Sequence, residues 1–98
     1  MSPFNTPTFE RLFAAFLQLK TEEECRQFLE DVCTIKEVQD MAQRFEAAIR
    51  LDKGEGYQAV SDQVGISTAT ISRVSRCLNY GAGGYRQVID RMKEEGLL

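Results

Sequence analysis

Arg73 and Arg76 lie three residues apart on a stretch, Gly65 to Gly81, that contains no Asp or Glu. Around them stand Ser67, Thr68, Ala69, Thr70 and Ser72, all short and mostly hydroxyl-bearing. Guanidinium groups pair bidentately with phosphate oxygens or with a guanine edge. Ser and Thr hydroxyls donate to or accept from base edges, and the methyls of Thr68 and Ala69 suit a thymine methyl. Residue types in this pattern point to contact with a polyanion.

Catalysis has less to build on. The chain has no histidine, the commonest general acid–base side chain. Its carboxylate runs, "TEEE" at Thr21–Glu24 and "KEEG" at Lys93–Gly96, fall at expected helix ends, where they cap or are solvated. Cys25, Cys33 and Cys77 are odd in number and lack CxxC spacing. That argues against a disulfide framework or a zinc site, so no metal is expected and a reducing cytoplasm is the natural compartment. "MSPFNTPTFE" has no basic start or sustained apolar run, and no segment approaches a membrane span. An enzyme is not expected.

The net charge of −3 has to be set against a polyanionic partner. It is unevenly spread. Residues 1–56 hold seven Lys/Arg against eleven Asp/Glu, whereas residues 57–98 hold five against four. Phosphate contact is local, because charges are screened over about 8 Å at physiological salt. An acidic body with a locally cationic tip is compatible with nucleic acid.

The elements that must position these residues all read as helices. Thr6 or Thr8 can cap a first helix with the stripe Phe9, Leu12, Phe13, Phe16 and Leu19. The "TEEE" box opens a second with Cys25, Phe28, Leu29 and Val32, and "TIKE" at Thr34–Glu37 opens a third. That third helix presents Val38, Met41, Ala42, Phe45, Ala48 and Ile49, and Gly54 and Gly56 end it. All six phenylalanines precede position 46, more than a thin bundle needs, which suggests pairing of protomers through residues 8–50.

Short helices over about Tyr57–Val64 and Thr68–Asn79 then fit a helix-turn-helix. Val60 and Val64 face inward, Gly65 makes the turn, Ile66 plugs the corner and Ser67 caps. Ile71, Val74 and Leu78 face the core, leaving Thr68, Ala69, Ser72, Arg73 and Arg76 outward. A last helix, about Tyr85–Glu95, gathers Val88, Ile89 and Met92. In the linking "NYGAGGYRQ", Asn79, Tyr80, Tyr85 and Arg86 have two uses, reaching a DNA backbone or packing the glycine-rich joint, and packing is favoured for the tyrosines.

"TATISRVSRCLNYG" (Thr68–Gly81) and "GGY" (Gly83–Tyr85) resemble the Trp-repressor family, specifically its YerC/YecD Trp-repressor-like branch, and the likeness runs from about Phe9 to Leu98. The resemblance implies an all-α, six-helix, intertwined homodimer. It would bind double-stranded DNA and regulate transcription, most simply as a repressor. Residues 1–8 would be a flexible N-terminus and 9–98 the domain. Within it, 9–53 are dimerisation helices, 57–80 the helix-turn-helix and 85–95 the C-terminal helix. The candidate DNA-binding set read from the residues is Ser67, Thr68, Ala69, Thr70, Ser72, Arg73 and Arg76, and the resemblance places Thr68, Ala69 and Ser72 where base edges are approached.

By the same resemblance Arg44 and Arg73 fall on the arginines that sandwich a tryptophan corepressor, with Thr34 in the pocket. Two substitutions argue against tryptophan itself. Val74 stands where the tryptophan-responsive repressor has glycine, and Cys77 replaces a serine that holds the ligand's amino group. Overpacking an indole slot costs about 1–3 kcal/mol, so no tryptophan corepressor is expected; no cofactor is called for, and a different small effector at Thr34, Arg44 and Arg73 stays open. Arg44 has simpler partners in Asp40 or Glu46 of a partner helix, and Cys77 reads as a buried small hydrophobe. A competing reading makes the protein a helical dimeric interaction module, its basic helix docked on an acidic protein surface such as the transcription machinery.

Overall fold

The computed structural model describes residues 3–98, and over them the chain is all-α, with no strand among the described residues. Its helices are α1 (Pro7–Phe16), α2 (Glu22–Val32), α3 (Ile35–Asp52), α4 (Tyr57–Val64), α5 (Thr68–Tyr80) and α6 (Gly84–Glu94). Two compact units divide at the start of α3, Met1–Ile35 and Lys36–Leu98.

In the N-terminal unit the first helix begins at Pro7, two residues before the expected domain start; residues 1 and 2 of the expected leader lie outside the described residues. Thr6, not Thr8, is the cap: its Oγ1 accepts from the Phe9 amide at 3.4 Å. Pro7 then takes a first-turn position, where a missing N–H costs nothing. The helix ends at Phe16 and does not reach Leu19. The amides of Gln18 and Leu19 turn instead to the i−3 carbonyls of Ala15 and Phe16, at 3.0 and 3.2 Å. The chain has to open there, because Thr21 is extended as the cap of α2.

Thr21 Oγ1 accepts from the Glu24 amide at 3.1 Å. Glu24 returns the favour one residue early, accepting from the Lys20 amide at 3.0 Å. Phe16 and Phe28 meet edge-to-face at 5.5 Å, and Phe4, Phe9 and Phe13 form a second ring cluster. Yet no residue of α1 or α2 is buried. Phe9, Phe13, Phe16 and Val32 all remain exposed.

The C-terminal unit holds the core: Ala47, Ala48, Ile49, Val60, Ile71, Val74, Leu78 and Ile89. Phe45, Leu51, Val64, Ile66 and Tyr85 pack around it. The expected face of α3 is therefore only half used. Ala48 and Ile49 are buried together with Ala47, while Val38 and Phe45 are half-buried and Met41 and Ala42 exposed. Gly54, at φ +92°, ends α3 in the left-handed region that favours glycine. Gly56 needs no such freedom, being extended ahead of α4.

A charged clamp closes this unit. Asp52, its side chain only 9% exposed, accepts from Arg86 at 2.5 Å and from Lys93, tying the end of α3 to α6. The Lys93 and Arg86 hydrogen bonds hold the Asp52 pKa below its usual 3.8, outweighing the opposing effect of burial. Because the folded value is the lower one, this stabilisation is complete above the unfolded value and fades as pH falls through the folded value. Asp52→Asn should therefore lower Tm at neutral pH, and its Tm should fall less than wild type's on acidification below about pH 4. Thermal melts across that range check this; parallel curves would contradict it.

Candidate nucleic-acid interface

The turn between α4 and α5 is set by local chemistry. Gly65 sits at φ +82° and ψ +33°, a conformation that costs other residues about 1–2 kcal/mol. Its amide donates to the Ser61 carbonyl at 2.9 Å, and the Ser61 hydroxyl donates to the Ile66 carbonyl at 2.6 Å. Gln43, reaching over from α3, donates to the Val64 carbonyl at 3.4 Å. Ser67 is then extended, and its Oγ accepts from the Thr70 amide at 3.2 Å, satisfying a free donor of the new helix.

Ile71, Val74 and Leu78 are buried, so helical periodicity turns the other side of α5 to solvent. Ser67, Thr68, Ala69, Arg73 and Arg76 are exposed there. Thr70 and Ser72 are half-buried, at the rim and not on the outward crest. α5 itself carries no carboxylate, and among the described ion pairs none involves Arg73 or Arg76. Asp62 of α4 is engaged by Gln58 at 3.0 Å. The two guanidinium groups are available to an outside anion.

Along one flank of α5 lies an open cavity of about 390 Å³ that brings Arg44 and Arg73 together with Asp40, Gln43 and Tyr85. Thr70, Val74 and Cys77 supply the α5 side of its lining. Thr34 belongs to the N-terminal unit and is not among the lining residues. Within the chain Asp40 pairs with Lys36 at 3.1 Å and Glu46 with Arg50 at 3.2 Å, whereas Arg44 lies beside the Tyr85 hydroxyl. Burial pushes the Tyr85 pKa up, and Arg44 pulls the other way.

Cys77 corrects the expectation of a buried thiol. It is exposed and borders the cavity, because Leu78 takes the inward position of that turn. The "NYGAGGYRQ" joint also divides. Tyr85 packs, its ring stacked on Phe45 at 6.4 Å, but Tyr80 projects into solvent. Arg86 is held by Asp52, and the Asn79 amide donates to the Ser75 carbonyl at 2.9 Å. Among the described residues no cluster suits a metal ion, and no helix is long and apolar enough to cross a membrane.

A helical fold that presents a cationic face without carboxylates on α5, from a helix-turn-helix, is the arrangement of DNA-binding regulators. The chain belongs to the Trp repressor protein family, whose family model matches residues 8–93. Its sequence is 51% identical over 85 residues to the uncharacterized protein YerC of Bacillus subtilis (strain 168), covering 87% of this chain and 82% of that one. Among solved structures it is similar to a TrpR-like protein from Eubacterium eligens ATCC 27750, at 47% identity and a TM-score of 0.88, covering 92% of this chain and 93% of the other. A candidate Trp repressor from Staphylococcus aureus aligns at 40% identity and a TM-score of 0.87, over 91% and 89% of the two chains.

Ser67→Ala should remove the α5 cap and lower unfolding stability by about 1 kcal/mol. Urea denaturation measures this directly, and an unchanged midpoint would show the cap to be idle.

Proposed function

We propose that the protein is a sequence-specific transcriptional regulator, acting as a repressor and as a homodimer. It lays α5 in the major groove of double-stranded DNA. The contact set is Ser67, Thr68, Ala69, Thr70, Ser72, Arg73 and Arg76. The observation that carries this reading is the outer face of α5, with two unpaired guanidinium groups and no carboxylate, on a helix anchored by its buried side. Short side chains at the N-terminal end allow close approach to base edges in a groove about 12 Å wide. The solved relatives described as TrpR-like and as a candidate Trp repressor support it.

Dimerisation is favoured by what α1 and α2 leave uncovered. Phenylalanine rings at positions 9, 13 and 16 stay in water in the single chain, as do Ile35 and Met41 of α3. Exposed apolar faces of this extent mark association surfaces. A two-fold pair presents two copies of α5, which suits half-sites about 34–36 Å apart.

The effector reading follows from Val74. Only 3% exposed, it borders the cavity between Arg44 and Arg73. An isopropyl group there opposes entry of an indole, so the regulator works without tryptophan as corepressor.

Genomic fragments retained by the protein, once sequenced and footprinted, test the reading. Paired protected half-sites one helical turn apart are expected; retention of no sequence in preference to others leaves the acidic-protein docking reading instead. Arg73→Ala and Arg76→Ala should each weaken binding to that site with helicity intact. Each should also shrink the log–log salt slope by about 0.9 for every phosphate the arginine neutralises. Wild-type affinity in both variants would overturn the assignment. Titration calorimetry with tryptophan should show no binding heat, and micromolar binding would refute the role given to Val74.

A further inference from the structure

Tyr80 is the large aromatic of α5 that the proposed DNA-binding set leaves unused. It is 87% exposed and makes no ring pair or hydrogen bond among the described residues. Its neighbours in the joint are engaged: Asn79 with Ser75, Arg86 with Asp52 and Tyr85 with Phe45. Ala69, Arg73, Arg76 and Tyr80 follow one another at spacings of four, three and four. At 3.6 residues per turn they fall within an arc of about 60°, on the side away from Ile71, Val74 and Leu78. Tyr80 therefore continues the cationic face itself.

Distance along the helix decides what it meets. Tyr80 lies about 16 Å beyond Ala69, at 1.5 Å per residue. With the first turn of α5 at the base edges, that reach exceeds a groove about 12 Å wide. The ring then stands against the sugar–phosphate wall, where tyrosine hydroxyls are common donors. An apolar ring with a polar tip suits such a boundary.

We infer that the Tyr80 hydroxyl donates a hydrogen bond to a backbone phosphate of the bound duplex, extending the interface one turn past Arg76. This rests on the DNA-binding reading proposed above. Tyrosine is neutral, so its signature differs from that of an arginine. Its removal reduces affinity without changing the number of counterions released.

The test uses the full-length protein, the site recovered from genomic fragments, and the variants Tyr80→Phe and Tyr80→Ala. The high exposure of Tyr80 makes both variants compatible with folding, which circular dichroism and sedimentation verify. Both should bind about tenfold more weakly, as expected when a single hydrogen bond to a charged group is removed, with an unchanged salt slope. Wild-type affinity in Tyr80→Phe overturns the inference, and so does a loss confined to Tyr80→Ala, since the ring and not the hydroxyl would then be acting. A reduced salt slope in either variant also overturns it. If the wild type captures no DNA, the earlier reading fails first; if it does and Tyr80→Phe binds equally well, only this inference falls.

Discussion

The interface depends on the burial of Ile71, Val74 and Leu78 against α3, α4 and α6. Each such side chain contributes about 1.5–3 kcal/mol when removed from water. Helical geometry leaves no freedom after that. Once one side of α5 is held in the core, the residues half a turn away must point to solvent, in a fixed azimuth and order. Ala47 and Ala48 of α3 are fully buried in the same core.

Electrostatics explains how a chain of net charge −3 can carry this surface. Many of its carboxylates are already occupied: Glu23 and Glu30 by Arg26, Asp40 by Lys36, Glu46 and Glu55 by Arg50, and Asp52 by Arg86 and Lys93. Apart from those of Asp52, whose side chain is only 9% exposed, these pairs are largely solvated and add little stability. They do keep cations and anions matched along α2, α3 and α6, while α5 has guanidinium groups and nothing of opposite sign beside them in its own sequence. Screening makes the local balance matter more than the total.

The single chain is thermodynamically lopsided. Among the described residues, the buried core residues lie between Ala47 and Ile89, and none in α1 or α2, although those two helices hold most of the phenylalanine. Ring-on-ring packing such as that of Phe16 with Phe28 covers part of that surface, but Phe9, Phe13, Phe16 and Val32 remain exposed. The proposed homodimer would recover transfer free energy on this uncovered apolar surface, a common route for short chains.

Much of this was legible along the chain. Capping boxes and apolar spacing located the helices to within a few residues, Gly65 and Ser67 marked the turn and cap, and Ile71, Val74 and Leu78 marked the inner face. Each of those signals is local, spanning from one helical turn to about two, and is readable without its tertiary partner. Other features depend on what lies across the fold. Arg44 came to rest beside Tyr85, Cys77 was left at the cavity edge by Leu78, and Asp52 was clamped by Arg86 and Lys93 from a helix more than thirty residues away. Met41 and Ala42 belong to the apolar face of α3 by spacing, yet they are exposed, because the core of their own unit forms further along the helix, at Ala47, Ala48 and Ile49. Local hydrogen bonds and periodicity are written in the order of residues; which of several suitable partners a side chain meets is settled only when separate helices compete for the same space.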